Sequence, residues 1–190
     1  MRIILASASP RRSQLLSEAG VDFEVIPSEA EERADKALPP QAYTESLARF
    51  KAEDVYAKTG GVVLGADTVV VLDGKVLGKP TSEGDARATL RALSGRRHEV
   101  ITGFCVIYGT SCKKIITDHV VSGVVFNELS DSVIEEYVAS GLPMDKAGSY
   151  GIQGLGSLLV EKIDGDFFNV MGLPLLRLSR MLAHFGVNLL

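Results

Sequence analysis

The chain has no tryptophan, only two cysteines and no apolar stretch of membrane-spanning length, and each scarcity removes a class of protein. Cys105 and Cys112 fall in a segment that reads as strand, turn and strand, with neither CxxC spacing nor histidines at the intervals of a zinc site. Both are read as reduced and structural. The longest charge-free windows, such as 100–112, fall short of the roughly 20 residues of a membrane helix. Near the start, Ile3-Ile4-Leu5-Ala6 gives way at once to Ser7 and then to Arg11 and Arg12, too brief an apolar run for a signal peptide. The expectation is a cytoplasmic protein with no membrane association. Positive charge is in deficit as well: 20 Lys and Arg against 24 Asp and Glu leave a net charge of −4. No global field then favours a polyanion, and the few aromatics (Tyr 5, Phe 7) offer little stacking surface for a single strand. A stable nucleic-acid partner is not expected, and any phosphate must be held by local cations.

What is present describes an ordinary globular chain. A hydrophobic fraction of 46% and a charged fraction of 23% exclude disorder as the main state, and 190 residues fit one domain, with or without two lobes. No internal repeat or low-complexity linker interrupts it. The pattern predicts a buried strand at 2–6, a helix from Pro10 to Ala19 with Ser9 as N-cap and Gly20 at C′, and a strand at 23–26. Residues 29–36 read as an acidic loop, and Pro39-Pro40 precede a second helix through Leu47, Phe50 and Val55. The valine-rich run 62–72 turns at Asp73-Gly74 into Lys75-Val76-Leu77, a hairpin signature. Thr81-Ser82 open a third helix, with Asp85 in the capping-box position, that ends at 93–95. Strands are predicted at 99–108 and 115–126, a helix between Ser130 and Gly141, a glycine-rich stretch at 148–156, a strand at 158–163 and a last helix from about Pro174 to Phe185. Helices alternating with strands, two pairs of which look like hairpins, predict an α/β fold with a mixed sheet.

Several segments carry chemistry. Ser7-Ala8-Ser9-Pro10-Arg11-Arg12 sets hydroxyls, unpaired N–H groups at a helix N-terminus and two guanidiniums directly after a strand, which suits a phosphate. A plain capped helix with exposed arginines accounts for the same residues. Asp67, in Gly65-Ala66-Asp67-Thr68, is the one ionisable residue of its valine-rich run; burying a carboxylate without a partner is costly, so a catalytic or metal-linked role competes with a capping one. Lys51 and Lys79 offer point charges. Gly78-Lys79-Pro80-Thr81 lacks P-loop spacing, and the glycines of 151–156 precede a strand instead of following one, so neither a Walker motif nor a Rossmann cofactor is expected. Gln153 in that bare stretch has an amide that both donates and accepts, which suits reading a base edge, although a loop glutamine reads the same way. His98, His119 and His184 are too scattered for a ligand set. Arg96-Arg97 and Lys113-Lys114 are read as solvated surface, and Asp145-Lys146 as an exposed ion pair.

Taken together, Ser-x-Ser-Pro-Arg-Arg at 7–12, Leu47-Ala48-Arg49 with Lys51-Ala52, Gly65-Ala66-Asp67-Thr68, Gly78-Lys79-Pro80, Leu93-Ser94-Gly95, His98-Glu99-Val100, the run Asp145-Lys146-Ala147-Gly148-x-Tyr150-Gly151-Ile152-Gln153-Gly154, and Asn169-Val170-Met171-Gly172-Leu173-Pro174 resemble the Maf family of nucleotide pyrophosphatases in order and spacing. The resemblance runs from about residue 2 to 185. It implies a single Maf-like domain over 1–190, with a mixed, twisted sheet flanked by helices and two lobes around a deep nucleotide-binding cleft, as in ITPase-like folds. It further implies a divalent cation, Mg²⁺ or Mn²⁺, and hydrolysis of a nucleoside triphosphate between its α- and β-phosphates.

Residue by residue, the resemblance makes Asp67 the general base, with Lys51, Lys79 and Glu32 in the catalytic set. Ser9 and Arg12 become substrate-binding residues, and Asp67 and Glu32 candidate metal ligands. Arg11, Thr68 and Gln153 resemble the branch acting on dTTP and UTP and are expected to set specificity. Phe50 departs from the pattern, since a polar residue commonly precedes the lysine. Two readings compete: a house-cleaning pyrophosphatase, and a non-catalytic nucleotide-binding regulator of septum formation and cell-division arrest. Intact Asp67, Lys51 and Lys79 favour the enzyme. The resemblance also raises a homodimer, for which Met181, Leu182 and Phe185 are candidate facing residues unless they are core.

Overall fold

A computed structural model describes residues 2–29, 35, 37–109 and 113–187. Seven strands form one mixed sheet: β1 (Ile3–Leu5), β2 (Phe23–Val25), β3 (Val62–Leu72), β4 (Lys75–Leu77), β5 (Arg97–Tyr108), β6 (Lys114–Phe126) and β7 (Val160–Asp164). Their order is β2-β1-β3-β5-β6-β7, with β4 paired to β3. Among the described residues six α-helices accompany them: α1 (Pro10–Glu18), α2 (Pro40–Thr59), α3 (Glu83–Leu93), α4 (Asp131–Ala139), α5 (Phe167–Met171) and α6 (Leu175–Ala183). The expected mixed α/β class is what forms. The backbone divides into two compact units, one of residues 1–67, 102–120 and 172–190, the other of 68–101 and 121–171.

In the first unit β1 pairs in parallel with both β2 and β3, setting Ile3 against Phe23 on one side and Val62 on the other. Parallel pairs need crossovers, which α1 supplies between β1 and β2 and α2 supplies on the way to β3. α1 stops where the sequence says it should: Gly20 follows the C-cap with φ of 69°, a conformation open to glycine. The core includes Ala6, Ala48, Ala52, Val55, Val63, Cys105 and Ile107. Burial pushes the Cys105 thiol up to about 11, so it packs as a small apolar group, as its sequence context implied. Cys112 lies outside the described residues. Met181, Leu182 and Phe185 are buried at 5%, 0% and 8% exposure, which makes them core, the commoner of the two readings, and leaves them no part in a dimer face.

In the second unit the Asp73-Gly74 turn, with positive φ at both residues, folds β4 back antiparallel onto β3, Val70 opposite Leu77. Ser82 caps α3 by accepting from the Asp85 N–H at 3.1 Å, and Asp85 reaches back past the cap to accept from the Thr81 N–H at 3.0 Å. Ser130 caps α4 in the same way. α3 and α4 present Leu90, Leu93, Ile134 and Val138 to a core shared with Val70, Val124, Phe126 and Tyr150. Two predictions shift. The strand expected at 158 begins at Val160, because Gly154–Leu159 winds as a 3-10 turn, and α5 was not anticipated. Phenylalanines favour strand by propensity, yet Asp166 opens a helical turn by accepting from the Phe168 N–H at 2.8 Å.

Candidate active site

Side chains alternate along a strand, so Gly65 and Asp67 share one face of β3. That face meets α2 at very close range. A Cβ on Gly65 would lie 2.1 Å from the Ala48 carbonyl oxygen and 2.9 Å from the Ala52 nitrogen, so the bare glycine is what lets the helix rest on the strand. Ala48 and Ala52 are one helical turn apart on the contacting side, and Lys51, three residues after Ala48, emerges beside them. The consequence is a direct ion pair: Lys51 Nζ donates to Asp67 Oδ1 at 2.7 Å, with the two side chains only 16% and 15% exposed. At that depth the pair is partly shielded from water and well oriented.

The chain leaves β1 alongside the same stretch of β3, the Ala6 N–H donating to the Leu64 carbonyl at 2.8 Å. It then enters α1 through Ser7, Ala8 and Ser9. Ser9 is the N-cap residue by position, but its hydroxyl makes no capping bond. Ser7 does the local work instead. Its Oγ, 6% exposed, accepts from the Ser9 N–H at 3.3 Å and from Arg12 Nη1 at 2.8 Å. Arg12, itself 8% exposed, also donates from Nε to the Gly172 carbonyl at 2.9 Å, so its guanidinium is turned inward and fixed on two sides. Arg11 beside it is half-buried on the first turn of α1. Neither arginine is exposed, as the alternative of a plain capped helix would have them. The signal for Ser7 was the Ser-x-Ser spacing ahead of an arginine pair, which does not by itself say which hydroxyl accepts.

Of the sequence-predicted residues, Ser9, Arg11, Arg12, Lys51 and Asp67 lie in the first unit; Thr68, Lys79 and Gln153 lie in the second. Glu32 lies outside the described residues. Thr68 is half-buried on β3, on the face opposite Asp67. Lys79 is exposed just after β4, and the Gly78 carbonyl before it accepts from the Gly148 N–H at 3.0 Å. Gln153 is exposed at the start of the 3-10 turn. His98 is core: 2% exposed, edge-on to Phe126 and Tyr150, with Nε2 2.7 Å from the Tyr150 hydroxyl. Burial lowers its pKa to about 4.

One cluster was not foreseen. Glu45 on α2 and Asp118 and His119 on β6 bring ligand-type atoms within 4.8 Å of one another, His119 Nδ1 lying 2.5 Å from Glu45 Oε1 while Asp118 Oδ2 accepts from Arg177 Nε at 2.6 Å. Residues so distant in sequence leave no spacing pattern to read.

The family model described as "Maf-like protein" matches residues 2–185. The dTTP/UTP pyrophosphatase of Thermococcus gammatolerans is 51% identical over 173 residues, 91% of this chain and 91% of its own. That of Moorella thermoacetica is 50% identical over 188 residues, 98% of this chain and 96% of its own. That of Caldicellulosiruptor saccharolyticus is 43% identical over 194 residues, 100% of this chain and 97% of its own. Among solved structures, a HAM1 protein from Coxiella burnetii is similar over 66% of this chain and 73% of its own, with 17% identity and a TM-score of 0.47.

Proposed function

The chain belongs to the Maf-like protein family, and from that premise we propose that it hydrolyses dTTP and UTP to the nucleoside monophosphate and pyrophosphate. The observation that carries this reading is the Lys51–Asp67 pair, a carboxylate held at 2.7 Å by an ammonium in a chain 51% identical over 173 residues to a relative named for that reaction. Asp67 orients the attacking water and takes its proton, while Lys51 fixes the carboxylate and adds positive charge beside it. Ser9 and Arg12, at the start of α1, form a phosphate-binding element, since a helix N-terminus and a guanidinium both favour an anion. Lys79 supplies a further phosphate-facing cation and Glu32 a second carboxylate. Arg11, Thr68 and Gln153 select the base.

A divalent cation, Mg²⁺ or Mn²⁺, fits this donor set. Mg²⁺ is commonly held by one or two carboxylates together with substrate phosphates, and Asp67 on β3 offers one such carboxylate. Asp67 and Glu32 are the residues that would hold it; when bound it would neutralise charge on the phosphates. Removal of non-canonical or excess pyrimidine nucleotides in the cytoplasm is the physiological role we infer. No described helix is long and apolar enough to cross a membrane.

The test is pyrophosphate release from a panel of nucleoside triphosphates with Mg²⁺ or Mn²⁺, wild type against Asp67→Asn. Cleavage of dTTP and UTP that disappears in the variant is expected. Activity that survives removes Asp67 from the chemistry, and nucleotide binding without cleavage in the wild type transfers the reading to a non-catalytic regulator.

A further inference from the structure

The segment from Tyr150 to Gly156, wholly within the second unit, is closed on itself. A Cβ on Gly156 would lie 1.8 Å from the Gly151 carbonyl oxygen and 3.0 Å from the Tyr137 hydroxyl, so the two ends of the segment touch through bare backbone. The same hydroxyl, reaching in from α4, accepts from the Gly151 N–H at 3.2 Å. At the entry, Tyr150 is sunk in the core and its hydroxyl is bonded to His98 Nε2 at 2.7 Å. Gly151 rests against the stem of Lys146, whose Cε would stand 2.9 Å from an added Cβ. Between these anchors the segment exposes Gln153. Two phenolic hydroxyls, one from α4 and one from the first residue of the segment, hold a seven-residue loop that exposes Gln153, Gly154 and Leu155.

A glutamine cannot by itself choose between pyrimidines. Its amide carries a donor and an acceptor side by side, and a half-turn of the amide exchanges them. One orientation complements the N3–H and O4 of uracil or thymine; the other complements the N3 and amino group of cytosine. Discrimination then depends on which main-chain groups hold the amide in one orientation, and the path of the loop decides which of them lie within its reach. We propose that Tyr137 and Tyr150 are positioning residues for base selection, holding the 150–156 loop so that Gln153 meets uracil and thymine in preference to cytosine. The proposal rests on the reading of Gln153 as a base-contacting residue given above.

The experiment compares wild type, Tyr137→Phe, Tyr150→Phe, Gln153→Ala and the double variants with Gln153→Ala. It measures kcat and KM on UTP and CTP, the dissociation constants of UMP and CMP by calorimetry, and the melting temperature of each protein. Each tyrosine variant is expected to raise KM for UTP and to lower the UTP-over-CTP preference about tenfold, the scale of one lost hydrogen bond, while kcat on UTP stays within about threefold. In the Gln153→Ala background the same substitutions should lower the preference no further, since they act through the missing amide. The calorimetric ratio should move in parallel with the kinetic one. A preference unchanged in both tyrosine variants, or lowered equally with and without Gln153, overturns the proposal whatever happens to the melting temperature. Absence of turnover in the wild type defeats the pyrophosphatase reading, and the UMP-over-CMP ratio then decides the positioning role alone. Absence of nucleotide binding as well overturns both.

Discussion

Replacing Gly65 by alanine adds one methyl group at the point where α2 lies on β3. The new carbon would stand 2.1 Å from the Ala48 carbonyl oxygen, about 1.3 Å inside the 3.4 Å at which ordinary contact begins, and 2.9 Å from the Ala52 nitrogen. Both obstacles are main chain, so no rotamer change relieves the clash and the helix must lift. Overpacking of this kind costs about 1–3 kcal/mol. For a chain of this size that amounts to a fall in melting temperature of roughly 2–4 °C for each kcal/mol. The functional loss should exceed what the stability loss suggests. Lys51 rides on the displaced helix and Asp67 on the fixed strand, so a lift of about 1 Å separates a pair now 2.7 Å apart, and misplacement on that scale can reduce a rate about 100-fold. The assay pairs thermal unfolding with pyrophosphate release well below the melting temperature, where the protein is folded. Ala52→Gly in the Gly65→Ala background should restore little, because the nearest obstacle is the Ala48 carbonyl and not the Ala52 methyl. A Gly65→Ala protein with wild-type melting temperature and activity would refute the packing argument, and a full rescue by Ala52→Gly would show that the helix is held off by side chains instead.

Two further outcomes follow from buried groups. His98 is depressed to about 4 by burial, against an ordinary value of 6.5, so between those values the unfolded chain binds a proton that the folded chain refuses. The stability this group contributes is complete above pH 6.5 and is lost as pH falls towards 4, by about 3 kcal/mol at most. Urea titrations from pH 7 to pH 4.5 should therefore show a steeper loss for the wild type than for His98→Gln, and parallel slopes would refute it. Arg12→Lys keeps the charge but loses the fork that spans Ser7 Oγ and the Gly172 carbonyl. It should raise KM for the triphosphate about tenfold and lower the melting temperature, the scale of one or two charge-assisted hydrogen bonds; unchanged steady-state kinetics would show that the buried guanidinium plays no part in placing the α1 N-terminus.

Much of the fold was legible because it is written locally. The Asp73-Gly74 turn, the Ser82 and Ser130 caps and the Gly20 stop each depend on residues within one turn of one another, and all four form as read. The last strand was set two residues early, at 158 instead of Val160, and α5 was missed because phenylalanines suit a strand by propensity while the bond that opens its helical turn comes from Asp166. Motif spacing brought Lys51 and Asp67 to notice as separate cations and acids. That they touch was not legible, since it depends on how close a helix approaches a strand. Ser7 escaped for a related reason: adjacent hydroxyls look alike in sequence, and only the path of the backbone decides which one meets Arg12. Glu32 lies outside the described residues.

Polar groups that meet in each unit do so because a side chain is missing nearby. In the first, a bare Gly65 lets α2 descend until Lys51 reaches Asp67; in the second, a bare Gly156 lets the loop close until one hydroxyl, that of Tyr137, lies against both of its ends. Neither glycine carries a functional group, yet each fixes a separation that the neighbouring polar atoms could not set by attraction alone, because hydrogen bonds act only once the backbones are within reach. Gly65 precedes Asp67 by two positions, the interval that keeps the small residue and the functional one on the same face of β3. It follows that enlarging the glycine should damage the site more than conservative changes to many of the residues that touch it, and that compensation must come from the opposing backbone moving as a unit.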